Sequence, residues 1–186
     1  MEAEDEAAKI REEYGAASVE ARSKDVLQCL QGNPKADLLH FAVHGIYDPE
    51  GAKEGLVMLD GQTLDPMEVR GAKLAGQPFV FLNACQVGSG NQVLGDYAGM
   101  AEAFLYAGAS GVVAPLWSVD DVVARDVALR FYERTLVGGE HPAEFLRSER
   151  TRFGDADHTG SSTYLAYQLF GHPAMKLTRG ADPNRS

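Results

Sequence analysis

Apolar positions along this chain fall into short continuous runs and longer stretches with helical spacing. Three nearly continuous runs have the length of strands buried on both faces: 38–43, 78–84 and 111–116. Helical spacing or helix-forming composition marks four longer stretches: 19–30, 96–107, 119–137 and 142–153. Because strands alternate with helices, the pattern predicts an α/β fold with a largely parallel sheet and helices on both faces.

Turn and capping residues refine these boundaries. Ser18 is expected to cap the helix that Gly32-Asn33-Pro34 ends, and Asp60-Gly61 predicts a tight hairpin turn. Residues 1–15 are charged and form a tail or a solvated helix, which leaves one domain over 16–186. The other connecting segments are predicted as loops at 86–95 and 154–162, and as short strand-like or packing segments at 163–170 and 174–177.

Charge and composition exclude several classes of function. The formal net charge of −10 would repel nucleic acid and anionic membranes, so neither is an expected partner. No apolar run is long enough to span a bilayer, and the acidic start of the chain is unlike a secretory signal. The two cysteines, Cys29 and Cys85, do not make a disulfide framework, which favours a reducing, cytoplasmic location.

Two chemically competent residues follow buried strands. His44 comes directly after the first predicted strand and Cys85 directly after the second, and parallel strands bring their carboxyl ends to one edge of the sheet. An imidazole beside a thiol can take its proton and later protonate a leaving amine. The backbone N–H groups of Gly45 and Cys85 are the candidate oxyanion donors, since a glycine lets a substrate carbonyl approach closely.

Each of these residues also has a structural interpretation. A cysteine at a strand end is often a small buried hydrophobe, and His-Gly often forms a turn. Cys29 and His40 are expected to be core residues, and the spacing of the five histidines indicates no zinc site or other metal site. Gly88-Ser89-Gly90 hints at a dinucleotide fingerprint, but Val93 stands where the third glycine belongs. Spacing alone therefore leaves catalysis and structure both open.

The chain resembles the CHAT domain, a group of caspase-, separase- and gingipain-like cysteine peptidases. The resemblance runs from about residue 16 to 178, with its blocks in the family's order. Four segments carry it: His40-Phe-Ala-Val-His44-Gly45, Val80-Phe-Leu-Asn-Ala-Cys85-Gln-Val-Gly88, the region from Ala103 to Asp121, and Tyr167-Gln-Leu-Phe-Gly171-His-Pro173.

The resemblance implies a caspase-like three-layer sandwich and a cysteine endopeptidase without a cofactor. The family's catalytic histidine and cysteine match His44 and Cys85. Its substrate pocket would lie in the segment after the third buried strand, at Trp117, Ser118, Asp120 and Asp121. A carboxylate there would select Arg or Lys, but both aspartates also suit the first turn of the next helix.

One departure from the family concerns the start of the domain. A caspase-like sheet has two strands before the one that carries the histidine, and residues 1–37 are mainly helix and turn. The chain is therefore expected to be the C-terminal part of a longer protein, with a sensor or tetratricopeptide-repeat region upstream, or else a shortened version of the domain. The missing strands would leave an unpaired edge at Leu38–Val43, which a second copy or residues 1–14 would cover.

Two rival functions remain open besides the peptidase. The first is a catalytically silent CHAT module that acts in protein–protein interaction or signalling. The second is an α/β domain that binds a nucleotide or flavin, which the incomplete glycine fingerprint argues against.

Overall fold

A computed structural model describes residues 2–48, 53–86, 98–154 and 163–179 of the chain. Its helices are α1 Glu2–Tyr14, α2 Ser23–Leu30, α3 Pro66–Ala72, α4 Ala98–Ala107, α5 Asp121–Tyr132, α6 Pro142–Gly154 and α7 Thr163–Ala166, with a π-helical segment Glu133–Val137 after α5. Its strands are β1 Leu38–Asp48, β2 Lys53–Val57, β3 Thr63–Leu64, β4 Phe79–Gln86, β5 Gly111–Pro115 and β6 Tyr167–Gly171. No helix in these ranges is both long and apolar enough to cross a membrane.

The strands form one mixed sheet in the order β3-β2-β1-β4-β5-β6. The three central strands, β1, β4 and β5, are parallel, whereas β2, β3 and β6 pair antiparallel with their neighbours. Long crossovers through helices connect the parallel strands, as their geometry requires. The predicted α/β class with a parallel centre is confirmed.

Helices cover the sheet on both faces. One core cluster packs α2, α3 and α4 against Phe41 and Leu82. The other packs α1, α5 and α6 against Phe81 and Val113. Since successive residues of a strand point to opposite faces, the two clusters take alternate residues of β4. The result is a three-layer sandwich of the caspase-like kind.

Some boundaries differ from the sequence prediction. The second helix begins at Ser23, not at Ser18; the side chain of its N-cap residue, Arg22, makes no capping hydrogen bond, and the Asp60 carboxylate accepts from the Ser23 N–H instead. The helix predicted over 119–137 begins later, and its last residues are π-helical. The predicted strand-like segment 163–170 divides into α7 and β6, and 174–177 contains no strand. The predicted loops fall largely outside the described residues, which exclude 87–97 and 155–162.

The strands that carry His44 and Cys85 are longer than predicted. β1 continues through His44 to Asp48, because β2 pairs antiparallel with its last five residues. β4 continues through Cys85 to Gln86. The prediction that both residues lie beyond their strand ends is therefore wrong. They form the next-to-last residue pair of the ladder between β1 and β4.

Among the strands that the structure describes, the first half of β1 has a partner on one side only. Residues 38–43 pair with β4, and β2 begins to pair only at His44. Within the described part of the chain, no strand precedes β1, since residues 2–37 contain only α1 and α2. The expected unpaired edge at Leu38–Val43 is present.

Candidate functional site

His44 and Cys85 are direct partners in the parallel ladder between β1 and β4. Neighbouring strands lie about 4.8 Å apart, so in-register residues are adjacent across the sheet. The long apolar runs that precede both residues fix this register, because a slip by one residue would turn each run's buried side chains to the other face. Two residues forty-one positions apart in sequence are thereby held side by side.

Both positions also belong to the same face of the sheet. His40, four residues before His44, contacts α1 and α5 through its ring. Asn83, two residues before Cys85, also contacts α1. Residues separated by an even number of positions share a face of a strand, so positions 44 and 85 lie on the face that α1 and α5 cover. His44 itself is exposed, and the description of residue 85 is limited to its backbone.

A buried polar cluster lies beneath these positions. The Glu6 carboxylate accepts a hydrogen bond from His40 Nε2 at 2.7 Å and from Asn83 Nδ2 at 2.8 Å. Tyr132 holds its hydroxyl 2.8 Å from His40 Nδ1, and the Tyr167 hydroxyl donates to Asn83 Oδ1. Burial raises the pKa of Tyr132 well above its usual value, and the nearby Glu6 carboxylate adds to the rise. One carboxylate thus links both strands that carry the candidate pair.

The backbone N–H groups that are the candidate oxyanion donors lie in the plane of the sheet. The Phe79 N–H donates to the Asp37 carbonyl, which sets the direction of the backbone groups along the ladder. Because N–H groups alternate sides along a strand, those of Gly45 and Cys85 are directed toward the neighbouring strand in this register. Gly45 and Cys85 belong to the last two residue pairs of the ladder between β1 and β4.

The predicted substrate-pocket segment follows β5 at the same edge of the sheet. Asp120 is the N-cap of α5: its carboxylate accepts from the Val123 N–H at 3.0 Å, and its own N–H donates to Thr163 at 2.8 Å. Asp121 is exposed in the first turn. Ser118 is half-buried, and Trp117 packs against the second core cluster with its indole nitrogen lacking a hydrogen-bond partner in the described residues.

The other candidate residues that the structure describes are buried in the core or make hydrogen bonds to the backbone. Cys29 is a buried core residue of α2, and burial raises its pKa. His141 contacts the Met175 carbonyl, and His172 accepts from the Ala174 N–H. Among the residues in the described ranges, no group of three acidic, histidine or cysteine side chains could hold a metal ion. His158 and the Gly88-Ser89-Gly90 segment lie outside those ranges.

Comparison with family models supports the class of protein that this fold indicates. The CHAT domain model matches residues 2–174, so the chain belongs to the CHAT domain family, which is related to caspase-like peptidases. The match includes α1, β1 and β4, the elements that join in the buried polar cluster. No curated protein matches the chain significantly.

Two residues of the buried cluster were not anticipated as part of the site. Glu6 belongs to a charged helix, and nothing in that composition distinguishes it from its exposed neighbours. Asn83 carried a signal, because it is the polar residue in an otherwise apolar strand. A polar side chain in such a run needs a hydrogen-bond partner when it is buried, and Glu6 and Tyr167 supply the partners.

Proposed function

We propose that this chain is a cysteine endopeptidase domain in which His44 is the base and Cys85 the nucleophile. The observation that carries the proposal is the ladder register, which pairs positions 44 and 85 on one face of the sheet. Membership of a peptidase-related family supports the same reaction class.

The reaction follows from the proton balance of the pair. His44 takes the proton of the Cys85 thiol, and the resulting thiolate attacks the carbonyl carbon of a peptide bond. The imidazolium then gives its proton to the leaving amine, which departs and leaves a thioester on Cys85. Water, deprotonated by His44, attacks that thioester and releases the acid product. The exposure of His44 leaves it accessible to substrate and water.

The proposed oxyanion donors require a local change. In the ladder the N–H groups of Gly45 and Cys85 are directed at the neighbouring strand, so they would stabilise an oxyanion only after the last rungs open. We therefore propose that activation separates β1 from β4 at this end, under the control of regions outside these 186 residues, such as an upstream sensor or repeat region. A reducing cytoplasm would keep the thiol available.

Asp121 is the stronger candidate for substrate selection. Asp120 uses its carboxylate to cap α5, whereas Asp121 is exposed at the same helix end. A substrate with Arg or Lys before the scissile bond would pair with this carboxylate, and the net charge of −10 would attract basic segments. Protein or peptide substrates of this type are the proposed partners.

A peptide library tests the proposal. Wild type, Cys85→Ala and His44→Ala would each be incubated with a mixed-sequence peptide pool, and mass spectrometry would identify the cuts. Cuts that both substitutions abolish, and that His172→Ala retains, are the expected result. Cuts that persist in either variant would rule out the pair.

The direction of the two N–H groups favours a second candidate, a catalytically silent module that binds a protein partner. That function needs no oxyanion donors and would leave the thiol at its ordinary pKa, about 8.5. No cuts from wild type, together with an ordinary thiol pKa for Cys85, would support this candidate over the peptidase.

A further inference from the structure

A slot of about 410 Å³ lies beside the unpaired half of β1. Its inner wall is the edge of the strand itself, residues 38–43. Its side walls come from opposite faces of the sheet, with Ile10 of α1 on one side and Val26 and Leu30 of α2 on the other. Apolar atoms therefore line most of the space next to a strand edge.

The strand edge presents backbone groups to this slot. The Asp37 carbonyl faces β4, where it accepts from Phe79, so alternation directs the N–H and C=O groups of Leu38, His40 and Ala42 the other way. The same alternation makes His44 pair with β2 farther along the strand. No backbone hydrogen bond to these three residues comes from α1, α2 or the segment between them. The slot thus combines apolar walls with a row of backbone donors and acceptors that have no partner among the described residues.

The connection between α1 and α2 limits what can enter. These helices lie on opposite faces of the sheet, so residues 15–22 must pass around the open edge. Residues 16–19 and Ala21 line the slot, and the Ala21 carbonyl is tied to the Leu59 N–H at 2.6 Å. This crossing segment obstructs edge-to-edge pairing with the whole sheet of a second copy. A single extended strand between the crossing segment and β1 avoids that obstruction.

The charges at the slot indicate the chemistry of the strand that fits. Arg11, Lys35 and Asp37 are its lining residues with formal charge. Lys35 and Asp37 are 4.0 Å apart and offset each other, whereas Arg11 has no ion pair among the described residues. Arg11, which is exposed, therefore offers one positive charge without an ion-pair partner in the described ranges to a segment that enters the slot.

We propose that the slot binds one extended segment of a separate protein, which adds as a strand to β1. Its backbone would pair with Leu38, His40 and Ala42, as in other cases of strand addition to a sheet edge. Its side chains would be small and apolar on both faces, because both walls are apolar, and a carboxylate would pair with Arg11. The slot is separate from the candidate catalytic positions and holds its partner whether or not the domain cleaves peptides.

Cys29 provides a reporter for this binding, because it lines the slot. In the Cys85→Ala variant it is the remaining thiol, and its rate of reaction with a small maleimide measures access to the slot. The probe is acetyl-Asp-Val-Ala-Val-Ala-Val-amide, and its control replaces the aspartate with lysine. At ten times its Kd, the acidic probe is expected to slow labelling about tenfold, since protection follows the bound fraction.

Ala42→Pro tests the backbone pairing. Proline removes the outward N–H and places its ring in the slot, and an edge strand tolerates it because the ladder to β4 does not use that N–H. The variant should melt cooperatively and bind the probe roughly tenfold more weakly. Ala42→Gly, which keeps the N–H, should bind the probe within about twofold of the parent. Fluorescence anisotropy of the labelled peptide gives the same affinities without relying on Cys29.

Each outcome decides the proposal. Protection by the acidic probe that Ala42→Pro weakens, and that the lysine control lacks, supports it. Absence of binding by anisotropy, or equal binding to Ala42→Pro and Ala42→Gly, overturns it. Concentration-dependent dimerisation that Ala42→Pro abolishes would also overturn it, because a second copy would then be the occupant.

Discussion

Glu6 shows how much one side chain contributes to the arrangement of the candidate site. It is 2% exposed, and its carboxylate contacts His40 on β1 and Asn83 on β4. A buried carboxylate is stabilising only when its hydrogen-bonding partners are in place, and its removal leaves those partners unsatisfied. Glu6 therefore holds α1 on the sheet directly below positions 44 and 85.

Glu6→Ala should lower the free energy of unfolding by about 3 kcal/mol, because His40 and Asn83 both lose a buried partner. Urea denaturation followed by circular dichroism measures this. Glu12→Ala, on the exposed side of the same helix, is the control and should change stability by less than about 0.5 kcal/mol. Equal effects of the two substitutions would mean that the cluster contributes no specific stability.

Substitution of the two aspartates at the start of α5 should affect different properties: stability for Asp120 and substrate selection for Asp121. Asp120→Asn keeps a capping side chain, whereas Asp120→Ala removes the acceptor for the Val123 N–H and should cost about 1 kcal/mol of stability. Asp121→Asn should leave melting nearly unchanged and lower kcat/KM for peptides cleaved after Arg or Lys. Unchanged kcat/KM for basic peptides in Asp121→Asn would exclude Asp121 from the pocket.

For single residues, the sequence indicated the candidate pair His44 and Cys85, but it did not indicate that Glu6 links their two strands. His44 and Cys85 could be found because each follows a buried apolar run, and the register confirms that the two runs are neighbours. Glu6 could not, since its burial depends on how α1 docks, which the residues of α1 alone do not specify. Cys29 and His40 were correctly predicted as core residues, because only 9% of the Cys29 surface and 9% of the His40 side chain are exposed.

Among the elements, the β2–β3 hairpin determines how far β1 extends. β2 pairs with the last residues of β1, and β3 pairs with β2. Gly55 is central to this arrangement, because a Cβ there would overlap the Leu64 carbonyl oxygen. The Asp60-Gly61 turn that closes the hairpin was predicted, whereas its pairing with β1 depends on contacts between segments distant in sequence.

Gly55→Ala should separate β3 from β2 and destabilise the domain by about 2 kcal/mol or more, since the clash is with backbone. Gly71→Ala is the matched control: nothing lies within 4 Å of its Cβ, and alanine favours a helix, so stability should stay level or rise. Thermal melting compares them. A Gly55→Ala protein as stable as Gly71→Ala would show that the hairpin tolerates a wider spacing.

The misplaced boundaries share a physical cause. Ser18 has the chemistry of a cap, but the Ala21 carbonyl and the Ser23 N–H are bound to the hairpin turn at Leu59 and Asp60, and the helix begins after these contacts. Tyr167–Gly171 becomes a strand because β5 offers an antiparallel partner. Contacts between elements decided both boundaries, and local sequence patterns do not encode such contacts.

For the whole molecule, the three-layer sandwich brings its functional features to different parts of one sheet. The candidate pair and the segment from Trp117 to Asp121 lie toward the carboxyl ends of the parallel strands, the usual place for sites in α/β proteins. The slot lies beside the opposite half of β1. A strand that entered the slot would pair with the same strand that carries His44.

The reactivity of Cys85 tests the proposed pairing with His44 most directly. In Cys29→Ala, which leaves Cys85 as the remaining thiol, iodoacetamide alkylation would be measured across pH with and without the further change His44→Ala. His172→Ala serves as the control. If His44 and Cys85 act as a pair, half-maximal alkylation falls below about pH 8.5 when His44 is present and shifts up toward that value without it. Profiles that coincide with and without His44 would contradict the claim that the two residues act as a pair.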